Sequence, residues 1–268
     1  SFAELYAAVG GDKNELWKRY YTYGGLPYLA VLNDNAQRSE YLMRLNQTLY
    51  LRDIIERNKI ANEEAFTDLM NVMASGIGAP CNPNKIANTF KTVRKETLAP
   101  HTIANYLSYM EDAFIIEKSI RYDIKGRKYI GTLAKYYFQD VGLRNALLNF
   151  RQVEETHIME NIIYNELRSR GYSVDVGMIE ARTATERRQL EVDFVANKGD
   201  KRYYIQSAFA LPNEEKREQE LASLKRINDS FKKVIIMRDD ISPYHDENGV
   251  LIMGLMDFLL GTNVEEIL

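Results

Sequence analysis

Through the first half of the chain apolar residues recur three and four positions apart, while in the second half they come in short runs or alternate with polar residues. The first pattern marks the buried face of a helix and the second a strand covered on one or both sides. Asn14 to Tyr23 reads as an aromatic helix closed by Gly24-Gly25-Leu26-Pro27, residues that do not continue it. Over 37–57, Leu42, Leu45, Leu49, Ile54 and Ile55 predict one long helix. Asp53 and Arg57 stand one turn apart on it and read as a surface ion pair of small energetic value. A helix over 62–75 turns Phe66, Leu69, Met70 and Met73 inward before Gly76-Ile77-Gly78-Ala79-Pro80 breaks it.

The next stretch predicts a winged helix. A short helix over 84–91 packs Ile86, Ala87 and Phe90, and Pro100 opens a second helix with Ile103, Tyr106, Leu107 and Met110 inward. Strand pieces over 114–116 and 119–122 lead to a basic turn, Lys125-Gly126-Arg127-Lys128, as the wing. In a DNA-binding winged helix the second helix enters the major groove by its N-terminal residues. His101, Thr102, Asn105 and Ser108 are its exposed candidates, and Lys91, Arg94, Lys95, Arg121, Lys125, Arg127 and Lys128 are the candidate phosphate contacts. Glu96, Glu111, Asp112, Glu117 and Asp123 dilute the patch. Double-stranded DNA is the expected partner, and a protein surface is the alternative that this module also serves.

After a short strand from Lys135, Asp140 stands at a helix start, where its carboxylate can cap free amides; Asp140 and Arg144 read as structural. A helix over 154–170 with Ile158, Ile162, Ile163 and Leu167 apolar ends at Gly171. Strands follow over 172–180, 189–197, 201–210 and 233–237, with a helix over 213–226 between the third and fourth. This order is that of an α/β sandwich.

Glu191 to Leu211, EVDFVANKGDKRYYIQSAFAL, carries the candidate chemistry. Alternation turns Val192 and Phe194 one way and Glu191, Asp193 and Val195 the other, with the reversal at 197–200, so that Asp193 and Gln206 face each other across neighbouring strands. A PD-(D/E)xK nuclease holds a magnesium ion this way, on carboxylates that let it polarise a phosphodiester. Its lysine stands two residues after the second ligand, and that position is Ala208, with Gln206 in place of a stronger carboxylate ligand. The sequence therefore predicts an inert scaffold. The alternative is an active Mg²⁺-dependent nuclease that borrows its cation from Arg187, Arg188, Lys201 or Arg202.

With 268 residues the chain is long enough for two or three compact units, and its single cysteine, Cys81, allows no internal disulfide framework. The longest apolar stretch, Val250 to Leu260, is shorter than a membrane span and contains Asp257. With no signal peptide, a cytoplasmic protein without a membrane partner is expected. A net charge of −3 confines any nucleic-acid binding to a local patch.

Further segments, in their order and spacing, span nearly the whole chain: the opening SFAEL, YYTYGGLPYLA from Tyr20, LYLRDIIERNKI from Leu49, TIANYLSYMEDAFIIEKSIRYDIKGRKYI from Thr102, KYYFQDVGLRNALLNF from Lys135, MENIIYNELRSRGYSVDVG from Met159, and LEVDFV with YYIQSA. Together they resemble the C-terminal portion of a family of bacterial and archaeal AAA-type ATPases, whose second half is a domain of unknown function with a winged helix and a restriction-endonuclease-like end. The resemblance implies an α+β chain: a helical N-terminal region over 1–60, a winged helix over 61–133 and an α/β restriction-endonuclease-like domain over 134–268. It also implies an ATP-binding module before Ser1, since no G-x-x-x-x-G-K-[ST] phosphate loop occurs in this chain. A fragment that does not itself hydrolyse ATP is expected, with its own ATPase module, further copies of itself and DNA as partners. Residue by residue, the nuclease-like pattern assigns Glu160 or Glu166 to the first helix, Asp193 to the second strand and Gln206 to the third. Exposed tyrosines and the helical half leave a third reading open, an interaction or oligomerisation module.

Overall fold

The computed structural model describes residues 1–94, 97–182 and 187–261. The chain is mixed α/β and forms two compact units, one from residues 1–118 and 132–161, the other from 119–131 and 162 onward. This division follows packing rather than the three consecutive segments expected from the sequence.

The first unit opens with α1 (Phe2–Val9), α2 (Lys13–Tyr23) and the short α3 (Tyr28–Val31). Asp12 starts α2 by accepting the amides of Asn14 and Glu15. The predicted long helix is α4 (Asn35–Leu45), a π-helical stretch at Asn46–Leu51 and α5 (Arg52–Asn58). Where the turn widens, Asn46 reaches out to donate to the Leu143 carbonyl at 2.8 Å. Asp53 and Arg57 do form a surface pair, at 3.8 Å. Next come α6 (Glu63–Ser75), α7 (Pro83–Thr89) with a π-helical end, and α8 (Pro100–Asp112). Their inward residues, Phe66, Leu69, Met70, Phe90, Ile103, Leu107 and Met110, share one core with Ile116 and Phe138. The strand pieces expected over 114–122 are a single strand, β1 (Ile116–Asp123), followed by the basic turn and β2 (Lys128–Phe138). α9 (Val141–Leu147) starts on Asp140, whose carboxylate accepts the amides of Leu143 and, from the α2–α3 turn, Gly25. α10 (Glu155–Ser169) is the last helix before the main run of strands.

The second unit is built on a sheet ordered β2-β1-β3-β4-β5-β6-β8-β7. It comprises β3 (Ser173–Arg182), β4 (Arg187–Lys198), β5 (Lys201–Ala208), β6 (Lys232–Met237), β7 (Tyr244–His245) and β8 (Leu251–Gly254), with α11 (Glu214–Leu224) and α12 (Leu255–Leu260). β3, β4 and β5 are antiparallel neighbours, while β1 lies parallel to β3, and β5, β6 and β8 run parallel. Leu221 and Leu224 of α11 pack on Val192, Val195 and Tyr204. Phe194 meets Tyr164 of α10 instead, with ring centroids 6.3 Å apart. The apolar run from Val250 that fell short of a membrane span forms β8 and α12, both deeply buried. Among the described residues no helix is long and apolar enough to cross a membrane.

Candidate functional site

The β4–β5 hairpin reverses at Gly199-Asp200, with Gly199 at φ 62°, the backbone sign a tight hairpin turn demands. Farther along, the expected alternation fails. Asp175 pairs with Val195 but Gly177 with Val192, so β4 carries one extra residue and bulges at Asp193 and Phe194. Val192 and Val195 therefore face the same core, not opposite faces.

The bulge leaves main-chain amides that side chains satisfy. Ser207 N–H donates to Asp193 Oδ2 at 2.8 Å, and Asp193 N–H donates to Gln206 Oε1 at 3.4 Å. The structure thus brings Asp193 and Gln206 together as the sequence predicts. From there the chain of contacts leads to α11: Gln206 Nε2 donates to Glu220 Oε2 at 3.3 Å, and Glu220 Oε1 lies 2.7 Å from Lys216 Nζ. Ala208 is buried at 2% exposure. Neither Lys201 nor Arg202 supplies the missing cation: both pair near the hairpin turn, Lys201 opposite Lys198 and Arg202 opposite Asn197. Arg188 lies opposite Ala181, towards the other end of β4, and the Arg187 side chain is outside the described residues. The amine that the sequence reading missed is Lys216, whose pairing with Glu220 one turn on looks, in sequence, like any solvated helix face.

Both candidate glutamates are committed elsewhere. Glu160 belongs to the first unit, where Oε1 accepts from Lys135 Nζ at 2.9 Å and Tyr137 Oη at 2.8 Å. Gly78, at φ 75°, comes so close that a β-carbon there would stand 3.3 Å from Glu160 Oε2. Glu166 is buried and takes Arg170 Nε at 2.7 Å. Among the described residues no three His, Cys, Asp or Glu side chains gather as a metal would need. Within the second unit, hydrogen bonds and an ion pair join Asp193, Gln206, Glu220 and Lys216.

The candidate nucleic-acid contacts divide. On α8, His101 and Asn105 are exposed and Thr102 is half-buried. Lys125 and Arg127 are exposed in the turn after β1, which Asp123 ties down by accepting the Gly126 amide at 2.9 Å, and Lys128 is exposed at the start of β2. Arg121 is different. It is buried, and its Nη2 donates to Gln189 Oε1 at 3.0 Å and contacts Met178 Sδ at 2.9 Å, because β1 lies inside the sheet rather than at its margin. It offers no phosphate contact. Lys95, Glu96 and the Arg94 side chain are outside the described residues.

Lys125 and Arg127 instead line a cavity of about 480 Å³ with Tyr122, Ile124, Arg202, Ile227, Asp229 and Phe231. The Arg202 guanidinium lies 5.4 Å from the Tyr122 ring centroid and 5.3 Å from that of Phe231, while Nε donates to Asn197 Oδ1 at 2.7 Å. Asp229 accepts from Tyr204 Oη at 2.6 Å; burial, then this bond, pushes the Tyr204 hydroxyl up to about 12. Three cations and two ring faces thus surround one carboxylate that is already hydrogen-bonded. Arg202, on β5, and Phe231, just before β6, are remote in sequence from the basic turn, and no local signal announces them.

Residues 14–154 match the family described as a domain of unknown function (DUF8612). The chain belongs to this family. It is 32% identical over 268 residues to an uncharacterized protein of Haemophilus influenzae, covering 97% of this chain and 63% of that one. It is 27% identical over 238 residues to the uncharacterized protein MJ1544 of Methanocaldococcus jannaschii, covering 85% and 52% respectively. The DUF8612 chain therefore spans less than two thirds of either relative. Among solved structures it is similar to protein VC1899 of Vibrio cholerae, with a TM-score of 0.33, 12% identity, and coverage of 97% of this chain and 74% of that one. The family match ends before β3, so Asp193, Gln206 and Arg202 all lie outside it.

Proposed function

We propose that this DUF8612 chain is the nucleic-acid-binding portion of an AAA-family ATP-binding protein, and that its second unit is a restriction-endonuclease-like domain without hydrolytic activity. The observation that carries the binding reading is the cavity beside the basic turn. Lys125, Arg127 and Arg202 line it together and suit the phosphates of a duplex backbone, a contribution that does not depend on sequence. The helices α6, α7 and α8 followed by β1, a basic turn and β2 support a winged helix, with His101, Thr102 and Asn105 along one side of its last helix. For inactivity the support is local: Ala208 stands buried where the motif needs an amine, and Asp193 already accepts the Ser207 amide. The ATPase assignment rests on the sequence resemblance.

The test is fluorescence anisotropy with a short DNA duplex over a range of salt. Salt-sensitive affinity that is lost on reversing Arg127 and Lys128 to glutamate supports the reading. Unchanged affinity removes the basic turn from it, and no affinity at all favours a protein partner instead.

One observation favours a second reading, an active metal-dependent nuclease. Lys216 and Glu220 place an amine and a second carboxylate next to Gln206, which in turn meets Asp193. That reading requires Mg²⁺- or Mn²⁺-dependent cleavage that Asp193→Ala abolishes.

A further inference from the structure

A second polar cavity, of about 500 Å³, lies in the first unit between the Gly10-Gly11 turn, α2 and the start of α4; its lining includes Lys18, Arg19, Tyr23, Asn35 and Arg38. Arg38 is 6% exposed. Its Nη1 donates to Asn35 Oδ1 at 2.6 Å and its Nη2 to the Leu32 carbonyl, while Nε is buried with no hydrogen-bond partner among the described residues. Arg19 Nη2 donates to the carbonyls of Leu29 at 2.5 Å and Ala30 at 3.3 Å. Neither guanidinium forms an ion pair with a carboxylate among the described residues. Of the cavity's two acids, Asp12 is occupied in capping α2, and Glu15 is exposed.

Two like charges in one cavity, one of them nine-tenths buried, are unfavourable unless an anion joins them. Burial, and after it the nearby Arg38, hold the Arg19 guanidinium below its ordinary range. Main-chain carbonyls at 29, 30 and 32 compensate part of the charge, but they leave the buried Nε unsatisfied. Arginine forks match the oxygens of a phosphate better than any neutral group. The cavity exceeds a bare phosphate and falls in the range of small-molecule sites, with the half-buried Tyr23, over whose ring Arg38 lies at 6.0 Å, on its wall.

We infer that the α2–α4 cavity binds a phosphorylated small molecule, its phosphate held between Arg19 and Arg38. The site is independent of the nucleic-acid reading and belongs to the other unit.

The test titrates the chain with inorganic phosphate and with phenyl phosphate, against sodium acetate at matched ionic strength, and follows calorimetric binding and the thermal midpoint. Saturable binding of both phosphates, tighter for phenyl phosphate, with no response to acetate, is expected. An Arg38 variant can fail to fold, so Arg19→Gln is the decisive protein: it keeps a donor for the Leu29 carbonyl but removes the charge. It should lose at least tenfold in phosphate affinity while its unliganded midpoint stays level or rises. No saturable phosphate binding by the wild type overturns the inference. So does an Arg19→Gln protein with unchanged affinity, for then the arginines serve only to cap α3.

Discussion

Replacing Glu160 with glutamine separates two roles for this residue, metal ligand or structural anchor. In the structure its carboxylate lies 2.9 Å from Lys135 Nζ and 2.8 Å from Tyr137 Oη, with the two charged side chains only 4% and 14% exposed. At that burial water screens little, and removing one member of such a pair costs about 3–5 kcal/mol. Glutamine keeps the size and one acceptor, so most of the loss is charge; about 3 kcal/mol is the expected value. For a unit of this size that lowers the thermal midpoint by about 6–12 °C. A double-mutant cycle with Lys135→Met isolates the pair, and the double variant should recover part of the loss, because neither half then leaves a buried charge behind. Thermal and urea unfolding followed by circular dichroism measure all four proteins. A midpoint within about 2 °C of wild type for Glu160→Gln, or strictly additive losses, would refute the structural reading.

Four other outcomes follow from particular side chains. Lys125→Ala/Arg127→Ala should flatten the slope of log affinity against log salt by about 1.8, that is, about 0.9 for each phosphate no longer neutralised. Arg121→Gln should leave that slope alone but lower stability by about 1–3 kcal/mol, since the arginine's bonds to Gln189 and Met178 lie inside the sheet. Gly142→Ala should cost more than about 3 kcal/mol in urea unfolding, because its new β-carbon would stand 1.8 Å from the Tyr23 carbonyl oxygen, a backbone atom that cannot step aside. Burial pushes the Cys81 thiol from 9.0 up to about 11, so at pH 8 iodoacetamide should label it about a hundredfold more slowly in the folded chain than in denaturant. The folded state holds this proton more tightly, so the associated stability is complete below pH 9 and is lost as pH rises through 11.

The helices were legible wherever one face carried the burial. α6, α8 and α10 lie where Phe66 to Met73, Ile103 to Met110 and Ile158 to Leu167 recur at helical spacing. The π-helical stretch at Asn46–Leu51 was not, because it answers to the Leu143 carbonyl, nearly a hundred residues away in sequence. β3 to β6 were visible from alternation and turn residues, whereas β8, buried on every residue, has no period to read. At the candidate site, sequence placed Asp193 beside Gln206, since a hairpin is a local device. It could not see the bulge that moves Val195 to the same core as Val192, nor Glu220 and Lys216 arriving from α11. The same limit applies to charge: Lys125 and Arg127 announced themselves as a basic turn, but only the packed structure decides that Arg121 is buried and Arg202 half-buried.

The most direct test incubates the chain with a short labelled DNA duplex and Mg²⁺ or Mn²⁺, and reads binding and strand integrity in the same samples. Saturable affinity that weakens with salt, on a duplex that stays intact, is the predicted result. Cleavage that disappears in Asp193→Ala, or no affinity at any salt concentration, would contradict it.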